Sequence, residues 1–352
     1  LEDFDIQGVR ELTRPLFAIP THQFLFHGGK VDRKFYMDNL QLESAEYDLI
    51  SAPQRGVCLF KSGADRNLLD VHAPPHKHAL ITGGGGMLRF IHAADFHLDS
   101  AFGALPPGQA AARRRESREL ALRLADYVKE HGIDLVLLAG DLFDSASPFR
   151  ETGEQLAAAL GQMRARVFIS PGNHDWYGPG SPWETVDWPE NVYVFKENRL
   201  TAVEVPERNL VIHGAAFSGP EQPESLLAGF TAPADGKCHI GLLHGELDGA
   251  EARYGPIRRE EAAASGLCYL ALGHVHKRTA PLTLGRTVCA WPGCPEGRGF
   301  DELGEKGFYE GTISDGGEVS LTFVPFARHR YEVLEVDVTG KEPRAAVEAA
   351  LP

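Results

Sequence analysis

Five short polar clusters stand out because their residue types can bind metal and move protons. They are Asp95-Phe96-His97, Gly140-Asp141-Leu142-Phe143-Asp144, Gly172-Asn173-His174-Asp175, His244-Gly245 and Gly273-His274-Val275-His276. Taken singly each has a plain reading: Asp-x-His decorates a loop, Gly-Asn-His-Asp makes a turn, and His-x-His hydrogen-bonds at a sheet edge. Taken together they offer imidazoles, carboxylates and one amide, a donor set that suits manganese, iron or zinc. No paired thiolates are present for a structural zinc site. Two adjacent ions need a bridge, and a carboxylate buried at the end of a strand can supply one. Asp141 is the natural candidate because it follows the most apolar strand. Such a pair, roughly 4 Å apart, activates water against phosphorus and screens the leaving oxygen.

The elements that must position these clusters follow from the apolar patterning. Leu88–Ala94, Leu135–Ala139 and Arg166–Ser170 read as strands that run straight into Asp95, Asp141 and the Gly172–Asp175 turn. Between them Arg113–His131 reads as a helix with Leu120, Leu124 and Val128 on one stripe. Ser147-Pro148 reads as the start of a second helix, with Leu156, Leu160 and Met163 on its buried side. Strand, helix, strand, helix, strand predicts a largely parallel sheet, whose carboxyl edge is where loops converge on a ligand. Beyond residue 190 strands dominate: Asn191–Phe195, Ala202–Val205, Leu210–His213, His239–His244, Tyr269–Gly273 and Thr287–Trp291. A hairpin is expected from Phe308–Ile313 and Glu318–Val324 around Ser314-Asp315-Gly316-Gly317. Two sheets face to face with helices outside accommodate all of these.

The 352 residues hold 35 Lys+Arg against 49 Asp+Glu, a net charge of −14 that excludes a basic coat holding nucleic acid by bulk electrostatics. Cys58, Cys238, Cys268, Cys289 and Cys294 form neither a disulfide framework nor a ligand spacing, and Cys268 and Cys289 read as core residues of a cytoplasmic protein. No apolar run approaches the ~18 residues of a membrane span. Residues 1–86 show no persistent period; they hold a His-Pro cluster (His72, Pro74, Pro75, His76, His78) and the run Gly83–Gly86. Met87 is therefore expected to be the natural start, with 1–86 as upstream reading or an added extension, against the rival of a genuine N-terminal extension. Residues 87–330 are expected to form the main domain. Tyr331–Val338 reads as a fresh strand followed by a helix at Glu342–Ala350, so 331–352 is expected to open a further domain.

In this order the five clusters resemble the calcineurin-like metallophosphoesterase superfamily. The stretches Phe90-Ile91-His92-Ala93-Ala94-Asp95-Phe96-His97-Leu98-Asp99, Gly140-Asp141-Leu142-Phe143-Asp144 and Pro292-Gly293-Cys294-Pro295-Glu296-Gly297-Arg298-Gly299-Phe300 resemble its nuclease branch, the SbcD/YhaO-type subunits. The resemblance implies a four-layer α/β/β/α sandwich, with two central mixed sheets flanked by helices. It implies two divalent ions, manganese ahead of iron or zinc. One would be held by Asp95, His97, Asp141 and His276, the other by Asp141, Asn173, His244 and His274. His174 would hold no metal and would protonate the leaving oxygen, its tautomer fixed by Asp175 or a nearby backbone group. Asp144 would hydrogen-bond a ligand from behind, where some relatives place a phosphate-contacting His.

The activity implied is that of a phosphodiesterase acting as a DNA exonuclease, with endonuclease activity besides, in DNA repair. Its partners would be DNA and an SMC-like ATPase, and a homodimer is compatible with the resemblance. The alternatives are a phosphomonoesterase or cyclic-nucleotide phosphodiesterase on the same metals, and a catalytically dead scaffold, which the complete ligand set argues against. Arg298 is read as a phosphate contact or a loop tie. Trp176 and Tyr177 are read as a stacking platform for a terminal base or as packing over the site. Arg113, Arg114 and Arg115 are read as a solvated helix face or as DNA-backbone contacts. His92 and His213 are read as structural.

Overall fold

The computed structural model describes residues 22–25, 33–40, 42–51, 57–62, 65–70, 87–248, 253–314, 316–337, 339–340 and 342–350. The chain divides into two units, Leu1–Ile81 and Thr82–Pro352. In the first, β1 (His22–Leu25), α1 (Arg33–Leu40), α2 (Ser44–Ser51), β2 (Val57–Ser62) and β3 (Asp65–Asp70) form an antiparallel sheet of order β1-β2-β3 and two helices. Leu25, Leu40, Leu42 and Leu59 close a small core. The absence of a persistent period in the sequence of 1–86 has a physical reason: strands of four to six residues and helices of eight are too short to show one. The His-Pro cluster at 72–78 and the glycine run at 83–86 lie outside the described residues.

In the second unit the apolar runs become strands buried on both faces, which explains why they read as continuous rather than alternating. Its first elements are β4 (Leu88–Ala93), α3 (Pro107–Arg118), α4 (Leu120–His131), β5 (Leu135–Leu138), α5 (Arg150–Gly161), β6 (Arg166–Ile169), α6 (Pro182–Thr185) and β7 (Val192–Val194). There follow β8 (Thr201–Val205), β9 (Leu210–Gly214), β10 (Cys238–His244), β11 (Glu246–Leu247), β12 (Pro256–Ile257), α7 (Arg259–Ala264) and β13 (Tyr269–Gly273). The last are β14 (Leu282–Leu284), β15 (Thr287–Ala290), β16 (Gly307–Ile313), β17 (Val319–Pro325) and α8 (Pro343–Ala350).

Two six-stranded mixed sheets result, of order β17-β16-β4-β5-β6-β7 and β14-β15-β13-β10-β9-β8. In the first, β4 to β7 run parallel, and in the second β9, β10, β13 and β15 do. Alternate side chains then divide between layers. Phe90, Leu135, Leu137, Ile212, Ile240, Leu242, Tyr269 and Ala271 fill the space between the sheets. Ile91, Val136, Leu138, Val167 and Ile169 pack outward on Leu120, Leu124, Leu156 and Leu160 of α4 and α5. On the far side Leu243, Leu270 and Leu272 meet Ala262 of α7 and Leu227. The expected α/β/β/α sandwich forms.

Helix α4 carries the predicted stripe and stops at Gly132, whose left-handed backbone (φ 62°) lets its N–H cap the carbonyl of Val128. Leu124 is buried in the layer between α4 and the first sheet. Leu124→Ala should cost about 2–5 kcal/mol of stability, read as a lower urea midpoint with an unchanged slope.

Four local expectations are corrected. The helix read over Arg113–His131 begins at Pro107 and divides at Glu119, which ends α3 and precedes α4. Ser147-Pro148 does not start α5: Phe149 caps it, because the Phe149 N–H is held by Asp99 Oδ2 (3.1 Å) while the Ser147 N–H bonds back to Ser145 Oγ (3.2 Å). No strand forms over 331–337, where Val333 and Leu334 are exposed and no neighbouring edge pairs with them among the described residues. Cys238 and Cys268 are joined by a disulfide with Cα atoms 6.3 Å apart, since adjacent β10 and β13 bring together positions 30 residues apart. Cys58, Cys289 and Cys294 are free and buried.

Candidate metal centre

Every cluster singled out in the sequence lies at the carboxyl end of a parallel strand. Asp95 and His97 follow β4, Asp141 follows β5, and Asn173 and His174 follow β6. His244 ends β10, and His274 and His276 follow β13. Both sheets therefore feed one cleft. The backbone there is unusual: Asp95 (φ 56°), His97 (φ 45°), Asp141 (φ 50°) and His274 (φ 87°) are all left-handed. Such torsions cost free energy for residues with a Cβ and persist only where the surroundings fix them. Here the Asp95 N–H bonds the Gly140 carbonyl (3.0 Å), the His97 N–H the Asp141 carbonyl (3.0 Å), and the His274 N–H Asp95 Oδ1 (3.0 Å). Gly140 (φ 85°) and Gly273 permit the close approach of the two sheets, since a Cβ on either would strike His244 or the Ala139 carbonyl.

The donors converge in sets. Asp95, His97 and His276 offer ligand atoms within 4.8 Å of one another, as do Asp141, His244 and His274. A third set, His97, Asp144 and His174, meets the same distance, but Asp144 contacts the outer nitrogen of His97, Nδ1 (2.9 Å). Between the first two sets stands one carboxylate oxygen, Asp141 Oδ2, 3.3 Å from His244 Nε2 and 3.8 Å from His97 Nε2. Asn173 Oδ1 lies 2.9 Å from His244 Nε2 and 3.1 Å from His274 Nδ1.

These contacts fit a cation at each set. His244 donates Nδ1–H to the Ala139 carbonyl (2.8 Å), so its Nε2 lone pair faces Asp141 and Asn173 oxygens that are themselves acceptors. His97 and His276 both use Nδ1 on carboxylates, and their Nε2 atoms face each other at 3.0 Å. Asp95 Oδ2 is buried with no hydrogen-bond partner among the described residues. Acceptors aimed at acceptors in a buried cleft are costly unless positive charge lies between them.

A proton on His244 Nε2 can take the place of that positive charge. Burial opposes a charge on His244, yet the adjacent Asp141 carboxylate outweighs it and lifts the imidazole to about 9. Burial likewise works against the Asp141 anion, but His244 holds that carboxyl well below the usual range. Burial raises Asp95 and pulls His274 down to about 4. The cleft favours positive charge at one corner and neutral, ligating imidazole at another.

His174 is exposed; its ring stands 4.8 Å from that of His97, its Nδ1 meets the Asp144 carbonyl at 3.2 Å, and its backbone N–H donates to Asp141 Oδ1 (2.9 Å). Asp175 points elsewhere. Its buried carboxylate accepts the N–H groups of Gly172 (2.8 Å), Asp141 (3.2 Å), Leu142 (2.7 Å) and Phe143 (3.2 Å). It holds the β5 and β6 loops together, and the contact to the His174 ring comes from the Asp144 backbone instead. Asp144 Oδ1 also receives Arg298 Nη1 (3.1 Å).

Trp176 and Tyr177 are half-buried; Tyr177 packs on the helix-side core, with Lys196 over its ring at 5.8 Å. Arg113 is neither a solvated helix face nor free for DNA. It is buried, donating to the Gly297 carbonyl (2.8 Å) and pairing with Glu116 (3.1 Å) and Glu296 (3.5 Å). His92, buried between the sheets, bonds Tyr269 Oη (2.7 Å), and His213 bonds His239 (2.8 Å). Two residues near the cleft were missed by the sequence reading. Glu302, two positions beyond the resembling loop, bonds His276 Nδ1 (2.8 Å); Tyr254 lies over the His274 ring at 5.2 Å. An acid four residues after Arg298 was the available signal for Glu302.

Among curated proteins the chain is 34% identical over 264 residues to the uncharacterized metallophosphoesterase YhaO of Bacillus subtilis, covering 72% of this chain and 64% of that protein. It is 25% identical over 284 residues to the DNA double-strand break repair protein Mre11 of Methanopyrus kandleri, covering 72% and 60%. It is 22% identical over 259 residues to a component of the nuclease SbcCD of Bacillus subtilis, covering 62% and 64%. The chain thus spans less than two thirds of the length of these relatives. No described helix is long and apolar enough to cross a membrane. The family model for calcineurin-like phosphoesterases matches residues 88–278, a span that holds every strand end feeding the cleft, and the chain belongs to that family.

Proposed function

We propose that this chain is a dinuclear-metal-dependent phosphodiesterase acting as an exonuclease on DNA, in partnership with an SMC-like ATPase. The observation that carries the reading is Asp141 Oδ2, set between His244 Nε2 (3.3 Å) and His97 Nε2 (3.8 Å), where one carboxylate can serve two ions. Asp95, His97, Asp141 and His276 would hold one ion, and Asp141, Asn173, His244 and His274 the other. Manganese suits this mixed imidazole, carboxylate and amide set, as iron and zinc do. When bound, a pair of divalent ions supplies the Lewis acidity that activates water and balances charge on the phosphoryl oxygens.

The remaining steps belong to the chain. His174 keeps Nδ1–H on the Asp144 carbonyl, which leaves Nε2 to carry the proton delivered to the leaving oxygen. Asp175 keeps the Asp141 loop in its left-handed turn by gathering four N–H groups on one carboxylate. The nuclease assignment is supported by the relatives' names, a DNA double-strand break repair protein and a nuclease component. The net charge of −14 leaves DNA grip to local groups and to a partner rather than to a basic surface.

The test is to incubate the purified full chain with Mn²⁺ and end-labelled duplex DNA, alongside a small phosphodiester and a phosphomonoester. Release of nucleotides from DNA ends, abolished by EDTA and restored by Mn²⁺, is the expected result. Turnover of the small esters with no attack on any DNA end would replace this reading with that of a phosphomonoesterase or cyclic-nucleotide phosphodiesterase.

A further inference from the structure

The two histidines of the first donor set are joined behind the cleft by a closed circuit of polar contacts. His97 Nδ1 meets Asp144 Oδ1 at 2.9 Å, and Asp144 Oδ1 receives Arg298 Nη1 at 3.1 Å. Arg298 grips Glu302 with Nη2 (2.8 Å) and Nε (3.2 Å), and its backbone N–H adds a third bond to Glu302 (2.7 Å). Glu302 Oε1 meets His276 Nδ1 at 2.8 Å, and the two Nε2 atoms close the circuit at 3.0 Å. Glu302 is only 4% exposed, so its charge depends on these partners. The loop carrying Arg298 is pinned separately: Arg113 donates to the Gly297 carbonyl (2.8 Å), and Glu296 accepts the N–H groups of Arg328 (2.8 Å) and His329 (2.9 Å).

We infer that Arg298 is a positioning residue: with Asp144 and Glu302 it forms a carboxylate–guanidinium–carboxylate bridge that sets His97 and His276 as one unit, both presenting Nε2 to the metal. This rests on the dinuclear reading above and deepens it. A guanidinium is suited to the task because its planar fork offers two edges at fixed angles, one to each acid. Asp144 claims the Nδ1–H of His97, and at His276 Nδ1 the Glu302 acceptor at 2.8 Å lies closer than the Arg298 Nη2 donor at 3.1 Å; each carboxylate thereby selects the tautomer whose Nε2 lone pair is free. With both edges engaged, Arg298 is committed to the histidines rather than to a substrate phosphate.

The experiment compares the wild-type full chain with Arg298→Lys, Arg298→Ala and Glu302→Gln. Mn²⁺ affinity is measured by titration calorimetry, and imidazole tautomers of the metal-free protein by nitrogen–proton NMR. The bridge predicts a loss of about 10- to 100-fold in affinity at one of two ion positions, with the other little changed. It predicts mixed tautomers at His97 and His276 in Arg298→Ala, and no rescue by lysine, which cannot span both acids. Should Arg298→Ala fail to fold, Asp144→Asn, at a half-buried position, provides the same two readouts for His97. Wild-type Mn²⁺ affinity and unchanged tautomers in the folded variants, with only a raised KM, would overturn the inference in favour of a phosphate contact. A wild-type protein that binds two ions and selects both tautomers, yet leaves DNA intact, would defeat the nuclease reading alone.

Discussion

Asp141→Ala should empty both ion positions and lower phosphodiester turnover by about 10³-fold or more, since the charge stabilisation an ion pair supplies is worth several kcal/mol and each 1.4 kcal/mol is tenfold in rate. Two independent sites would predict otherwise, because removing a ligand from one would leave its neighbour filled. An oxygen placed to be shared makes the difference: Asp141 Oδ2 lies 3.3 Å from one imidazole and 3.8 Å from another. Elemental analysis of the dialysed variant checks this directly. A full ion retained per chain would mean that Asp141 serves one position only. The loss should not be a folding defect, because Asp175 gathers four of the N–H groups that shape the two loops while the Asp141 side chain takes one, from His174.

His174→Ala should do the opposite: keep both ions and still lose about 10²- to 10⁴-fold in turnover, the usual worth of a positioned acid. Its ring is exposed, and its Nδ1 is spent on a backbone carbonyl, which leaves a single nitrogen, Nε2, free to serve as the acid. A substrate whose leaving group needs no proton, such as a nitrophenyl ester, should recover most of the lost rate. An equal deficit on both kinds of substrate, or a fall in metal content, would contradict the role.

The sandwich was legible because its signal is strong: strands such as Leu135–Leu138 are buried on both faces and end in an acid. The donors were legible for the same reason, each following an apolar run. What escaped depends on partners remote in the chain. Glu302 is an ordinary surface-type residue until Arg298 and His276 fold around it. Arg113 looks solvated on its helix and is instead buried beneath a loop some 180 residues further along, as its bond to Gly297 shows. Tyr331–Val338 alternates like a strand, but alternation does not supply an edge to pair with, and Val333 stays 66% exposed. The disulfide between Cys238 and Cys268 reflects strand order rather than any spacing along the chain.

The donors come from both sheets: Asp95, His97, Asp141 and Asn173 from one, His244, His274 and His276 from the other. Neither sheet carries the complete donor set, so the centre is a property of the seam between them. Packing between the halves, where Phe90 meets Tyr269 with ring centroids 5.0 Å apart, therefore acts as the ruler for the cleft. Drift that thickens or thins that filling would detune the enzyme from a distance, without touching any atom that grips a cation.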